Sequence, residues 1–406
     1  MQNTPKGNRL HIGIFGRRNV GKSSLLNLMV RQQVSIVSDF AGTTTDPVEK
    51  PMELLPLGPV LFIDTAGIDD IGELGDLRVK KTTLVFKRTD LAVIVTDGTW
   101  GDFEERICQE CAKYAIKFIV VFNKSDEVKP DNALIEKLAE EEIPFVHTSA
   151  LKNSGIKDFR QALLDNAPPE FLDNPQIIGD LINPGETVVL VVPIDKEAPK
   201  GRLILPQVQT IRDLLDSDSI CVVAKERELK AAIDNLKTPP KLVVTDSQAF
   251  LKADADTPKD ILLTSFSILY SRFKGDLAIQ TQGAIAVENL KPGDRVLIAE
   301  ACSHHPITDD IGTVKIPRWL NQYVGGELDF SNMQGRDFPE DLSEFKLVIH
   351  CGACMWNRRE MLSRMLQCKE AGVPITNYGL VIAYSLGIFK RALQPFPEAL
   401  EVFLNR

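Results

Sequence analysis

One run of eight residues limits the folds open to this chain more than any other feature. It is Gly16-Arg17-Arg18-Asn19-Val20-Gly21-Lys22-Ser23, set between the apolar run Leu10–Phe15 and the helix-forming Ser24–Val30. A glycine-bounded loop between a strand and a helix turns backbone N–H groups, and the positive end of the helix dipole, toward one point. That point suits phosphate. Lys22 is placed to reach the β- and γ-phosphates of a nucleotide, and the Ser23 hydroxyl beside it to ligate Mg²⁺. The spacing is that of a P-loop. The strand before it and the helix after it point to an α/β fold.

The rest of the chain agrees. Apolar strands at Leu10–Phe15, Val60–Ile63, Leu91–Thr96, Phe118–Phe122 and Pro144–His147 alternate with helical stretches, the pattern of helices packed on a mostly parallel sheet. The break Ala167-Pro168-Pro169 ends this region. Thr187–Ile194, Ile220–Ala224 and Lys241–Thr245 then repeat the alternation on a smaller scale, with helices at Lys225–Leu236 and Ser247–Lys252. Such a segment has a marginal core and is expected to complete itself against a second copy. A last stretch has strands at Arg295–Ala299 and Lys346–Ile349 and a helix over Asn357–Ala371 capped by Gly372. The expected organisation is a P-loop domain over 1–172 and two smaller α/β domains over 173–262 and 263–406.

Further short motifs follow the P-loop in order. Asp64-Thr65-Ala66-Gly67 ends a strand; Asp64 is expected to hold Mg²⁺ through water and the Gly67 N–H to sense the γ-phosphate. Asn123-Lys124-Ser125-Asp126 ends another. A carboxylate at Asp126 accepts from guanine N1–H and N2–H₂, which adenine does not offer, so the ligand is GTP. Ser149-Ala150-Leu151 buttresses the base. With Gly16, Asn19, Val20, Gly21, Lys22, Ser23 and Ser24, these residues make the expected GTP site. Ile68 stands where Ras-like enzymes carry a water-orienting Gln, so intrinsic hydrolysis is expected to be slow.

Gly42-Thr43-Thr44-Thr45-Asp46 resembles the first switch of TrmE/Era-like GTPases. The resemblance makes Thr44 a third Mg²⁺ contact, with Thr43 as the alternative. It also implies that Asn19 helps bind K⁺, which stimulates hydrolysis by supplying positive charge. A turn-stabilising role is the plainer account of Asn19.

The last segment carries Cys302-Ser303-His304-His305 and His350-Cys351-Gly352-Ala353-Cys354, each directly after a predicted strand. That is the sheet edge where ligands bind in open α/β folds. Cys351 and Cys354 can grip one centre, and the helix after them favours thiolate charge. Three thiolates with a possible imidazole suit Zn²⁺ or an iron–sulfur cluster, and spacing does not choose between them. Cys108 and Cys111 have the same spacing inside a helix with no further ligand nearby, and are expected to be packing residues, as are Cys221 and Cys368. His11 and His147 are expected to be structural.

The order of a TrmE/Era-like GTPase region, Cys-x-His, 45 residues, then His-Cys-x-x-Cys resembles the HydF family of FeFe-hydrogenase maturation GTPases along the whole chain. The resemblance implies a homodimer formed by the middle segment. It implies a 4Fe–4S cluster held by Cys302, Cys351 and Cys354 with an exchangeable fourth position. His304 matches the family pattern there; His305, His350 and Asp309 remain open. It further implies a scaffold or carrier that receives a transient diiron precursor made with the radical-SAM maturases HydE and HydG and delivers it to apo-FeFe-hydrogenase.

Composition sets outer bounds. The chain is 44% apolar and 25% charged with net charge −9, which suits globular domains and disfavours nucleic-acid or anionic-membrane partners. The N-terminal stretch lacks an apolar run, so no signal peptide and a cytoplasmic location are expected. The competing expectation is an RNA-modification or ribosome-assembly GTPase with a structural zinc site. It shares every nucleotide motif but predicts a basic last segment, and 263–406 has no basic run.

Overall fold

The computed structural model describes residues 4–31, 47–55, 57–65, 82–172, 176–193, 203–301 and 310–406. Contacts divide the chain into two compact units, Met1–Asn174 and Pro175–Arg406.

The first unit is built on six strands: β1 (Leu10–Phe15), β2 (Val48–Leu54), β3 (Gly58–Asp64), β4 (Leu91–Thr96), β5 (Lys117–Phe122) and β6 (Phe145–His147), in the order β2-β3-β1-β4-β5-β6. All neighbours are parallel except β2 and β3. Every residue of β1 and β4 is buried, as a central parallel strand covered on both faces requires. Ile12, Leu25, Val93 and Val121 pack on one side; Phe15, Phe86, Ile94 and Ile107 on the other. The register pairs Ile14 with Asp64, Phe15 with Ile94 and Thr96 with Phe122. The carboxyl ends of these strands are therefore level, and the segments that leave them share one edge.

The second unit has two four-stranded parallel sheets. One comprises β7 (Thr187–Val191), β8 (Ile220–Ala224), β9 (Leu242–Thr245) and β10 (Leu262–Ser265), ordered β10-β9-β7-β8. The other comprises β11 (Arg295–Glu300), β12 (Asp329–Gln334), β13 (Leu347–His350) and β14 (Ile375–Asn377), ordered β12-β11-β13-β14. Val188, Leu190 and Val244 of the first sheet and Val296, Ile298 and Ile349 of the second belong to one apolar core. The helix Phe266–Lys274 contributes Phe266, Ile268 and Leu269 to it. The sequence suggested that the middle segment is too small to close its own core. It does borrow apolar surface, but from the last segment of the same chain.

Candidate functional site

The P-loop leaves β1 at the level sheet edge. Gly21 is left-handed, with φ of 93°. A Cβ there would come within 2.2 Å of the Asn123 side-chain amide, and one at Gly16 within 2.2 Å of the Val95 carbonyl. Only glycine permits both approaches. Asn19 also has positive φ, 65°, which asparagine tolerates better than most residues. Its exposed position in this turn gives it a conformational role whether or not it meets a cation.

The Lys22 ammonium is buried and donates to the Gly16 and Arg17 carbonyls at 2.7 Å each. The Ser23 hydroxyl donates to Asp64 Oδ2 at 2.7 Å, so the two oxygens expected to share Mg²⁺ are already together. Val20 is buried and Ser24 exposed on the helix Lys22–Arg31. Thr44 and Gly67, together with Thr43 and Ile68, lie outside the described residues.

Asn123 ties the site together. Its Nδ2 donates to the Val20 carbonyl at 2.8 Å, and its Oδ1 accepts from Thr148 Oγ1 at 3.2 Å and the Ala150 N–H at 3.4 Å. Lys124 takes positive φ, 58°, at the turn that follows. Ser149 Oγ donates to Asp126 Oδ1 at 2.5 Å and accepts from the Lys152 N–H at 3.0 Å. The Asp126 carboxylate is thereby fixed to the Ser149-Ala150-Leu151 turn, on which Leu151 is exposed. Motif reasoning missed one partner. Arg17 forms a two-pronged ion pair with the fully buried Glu104, at 2.8 Å on both oxygens, and Glu104 also accepts from the Gly101 N–H at 3.0 Å. The sequence signal was Glu three residues after Gly101 at the start of the helix Asp102–Lys113, a capping arrangement.

The cysteine edge belongs to the second unit. β11 and β13 are parallel neighbours with Ala299 opposite His350, and the Cys351 N–H donates to the Ala299 carbonyl at 3.0 Å. One residue beyond the end of β11, the Ala301 N–H donates to the Cys351 sulfur at 3.1 Å. The residue immediately before Cys302 is thus already on the Cys351 thiol. Ala353 turns the loop with φ of 48°, a strained value for a residue with a Cβ. Asn357 then caps the helix Arg358–Glu370 through the Glu360 N–H. Cys302 and His304, with His305 and Asp309, lie outside the described residues. Among the described residues no group of three or more His, Cys, Asp or Glu could hold a metal ion.

His350 is wholly buried. Its Nε2 lies 2.8 Å from Arg364 Nη1 and its Nδ1 2.8 Å from the Cys351 carbonyl. Burial, and then Arg364, push its pKa down to about 3, so the ring is neutral. Burial likewise lowers Arg364 to about 10. Burial moves four other thiols in the opposite direction. Burial pushes Cys108 and Cys221 up to about 11 and Cys368 to about 12, and raises Cys111 further. They stay protonated at neutral pH, as packing cysteines do. His11 is buried, pushed down to about 3 by burial, and bound to the Lys6 carbonyl at 3.0 Å. His147 stacks on Phe122, with ring centroids 5.3 Å apart.

Residues 177–275 match the hydrogen maturase F dimerization domain, and residues 278–395 the hydrogen maturase F tetramerization domain, together more than half of the chain. The chain belongs to the hydrogen maturase F family. Residues 11–124 match the family described as 50S ribosome-binding GTPase, so this HydF-family chain carries a GTPase domain. Curated relatives match that part. GTPase Der of Wolinella succinogenes is 35% identical over 38% of this chain and 35% of its own length. The tRNA modification GTPase MnmE of Bacillus velezensis is 37% identical over 37% of this chain and 33% of its own length. The chain therefore spans about a third of these relatives. Among solved structures, Aquifex aeolicus Era bound to GDP·AlF₄⁻ aligns over 53% of this chain and 93% of its own at 21% identity, TM-score 0.33. The G domain of the T. maritima FeoB iron transporter aligns over 39% of this chain and 98% of its own, at 19% identity and TM-score 0.31. Among the described residues no helix is long and apolar enough to cross a membrane.

Proposed function

We propose that this cytoplasmic chain is a GTP-hydrolysing scaffold or carrier in FeFe-hydrogenase maturation. In this reading it binds a 4Fe–4S cluster through Cys302, Cys351 and Cys354 and delivers a diiron precursor to apo-hydrogenase, working with HydE and HydG. The observation that carries the reading is the Ala301 N–H on the Cys351 sulfur: adjacent parallel strands bring Ala301, the residue before Cys302 in the sequence, to the Cys351 thiol, in a chain of the HydF family. The donor chemistry fits the group. A backbone N–H on the sulfur and a helix start after the loop both favour negative charge on the ligand. The cluster, when bound, supplies iron with one exchangeable position; His304 is the leading occupant of that position. Anaerobic purification tests the assignment. A brown protein with iron and sulfide supports it, and a colourless zinc protein overturns it.

At the nucleotide site, Lys22 would turn its donors from the P-loop carbonyls to phosphate oxygens, and Ser23, Asp64 and Thr44 would hold Mg²⁺, with Gly67 against the γ-phosphate. Asp126, fixed by Ser149, selects guanine. If Asn19 helps hold K⁺, turnover rises when K⁺ replaces Na⁺ at constant ionic strength, and Asn19→Ala flattens the response. Equal wild-type rates in the two salts would remove the cation from the scheme.

The protein is a homodimer in this reading, joined through the middle segment, 173–262, placed between the GTPase domain, 1–172, and the cluster domain, 263–406. β8 supports the pairing. It is an edge strand with Ile220 and Val223 about half exposed, an apolar edge of the kind that natural sheets protect. Placing charge there with Ile220→Lys and Val223→Lys should give a monomer by light scattering; an unchanged mass would direct the interface elsewhere.

A further inference from the structure

We propose that His350 and Arg364 form a positioning pair behind Cys351, and that Arg364 raises the reduction potential of the centre which Cys351 holds. The inference rests on the cluster reading above. It begins with proton bookkeeping at the imidazole. A guanidinium only donates, so His350 Nε2, 2.8 Å from Arg364 Nη1, must accept. The ring proton is then on Nδ1, where it donates to the Cys351 carbonyl at 2.8 Å. Both ring nitrogens are used and the side chain has 0% exposure, so no lone pair remains for iron. His350 supports a ligand and is not one itself.

Arg364 is held through both Nη atoms and stacked on two rings. Nη2 donates to the Gly335 carbonyl at 2.6 Å, and the guanidinium lies over Trp356 and Phe338 at 4.2 and 4.5 Å from the ring centroids. The nearby Glu360 is itself paired with Arg336 at 2.6 Å, so it does not cancel the Arg364 charge. A buried cation fixed behind a cluster ligand favours the reduced form, which carries one more negative charge. Lysine keeps the charge but loses the fork and the stacking.

The test is a potentiometric titration followed by EPR on the anaerobically reconstituted full chain. Arg364→Gln should keep its iron and lower the reduced-to-oxidised ratio about tenfold at a fixed potential, ~59 mV for one electron. Arg364→Lys should recover most of that loss. An iron-loaded Arg364→Gln protein with wild-type potential overturns the proposal. Should Arg364→Gln fail to fold, His350→Gln decides, because it keeps an acceptor for Arg364 and replaces the rigid imidazole that donates to Cys351. Shifted g-values at unchanged iron content support the pair; wild-type g-values overturn it. A strong ¹⁴N coupling in the wild type that His350→Gln abolishes would make His350 a ligand, and overturn it too. A wild-type protein that takes up no iron and sulfide fails the cluster reading itself, an outcome distinct from the others.

Discussion

Lys22→Ala should abolish tight GTP binding and turnover while leaving the fold intact. The ammonium donates at 2.7 Å to the Gly16 and Arg17 carbonyls of the P-loop. Neither neighbour needs a cation to stay in place: Gly16 is seated against Val95 and Arg17 is anchored by Glu104. These two loop positions thus keep their seats without the side chain, whose proposed role is to bind the phosphates. A hydrogen bond involving a charged group contributes about 1.5–3 kcal/mol. Losing two costs ~3–6 kcal/mol, or two to four decades in affinity. Circular dichroism should match the wild type, and fluorescent-nucleotide titration should show the loss. The other end of the site has its own signature. Asp126→Asn turns one acceptor into a donor, so xanthine nucleotides should gain relative to GTP. Retained affinity in Lys22→Ala, or unchanged guanine preference in Asp126→Asn, would remove these roles.

How much of this was legible in advance depends on what each element buries. β1, β4 and β5 are covered on both faces, so they are nearly continuous apolar runs, and their bounds were readable to within a residue. Of the strands at sheet edges, β6 and β8 were read to within a residue, but β2, β10, β12 and β14 were not. β2 reads Val-Glu-Lys-Pro-Met-Glu-Leu, and Pro51 is tolerated because β2 pairs on one side only. β12 is largely polar for the same reason, and β14, although buried, is only three residues long. The nucleotide motifs carry their chemistry in fixed local spacing. The supports do not. Arg17 and Glu104 are 87 positions apart, and Arg364 meets His350 across 14. Such pairs exist only once strands and helices are packed, so no local pattern announces them. The shared core of the second unit is another such case. Its apolar residues were visible, but not that two segments would pool them.

Replacing Cys302, Cys351 or Cys354 by Ser should each remove most of the iron and all hydrogenase activation, without touching GTP hydrolysis. Serine changes one atom, so packing is nearly preserved and the effect isolates the donor. A hydroxyl is a harder and far less acidic ligand than a thiol, and matches iron in a sulfide cluster poorly. Cys351 should be the most sensitive, because its sulfur already accepts the Ala301 N–H and its backbone is tied to both Ala299 and His350. His304→Ala should behave otherwise. A carrier must release what it binds, and a fourth thiolate would close the site; imidazole or solvent leaves it open. That variant should keep a cluster with an altered EPR signal in the reduced state. The nucleotide site belongs to the other compact unit, so turnover of GTP should survive all four changes. Iron and sulfide analysis, EPR of the dithionite-reduced protein and an in vitro hydrogenase activation assay read the three levels separately. Full iron retention in one cysteine variant would sink that ligand, and full activation by all three would sink the carrier function while leaving the GTPase standing.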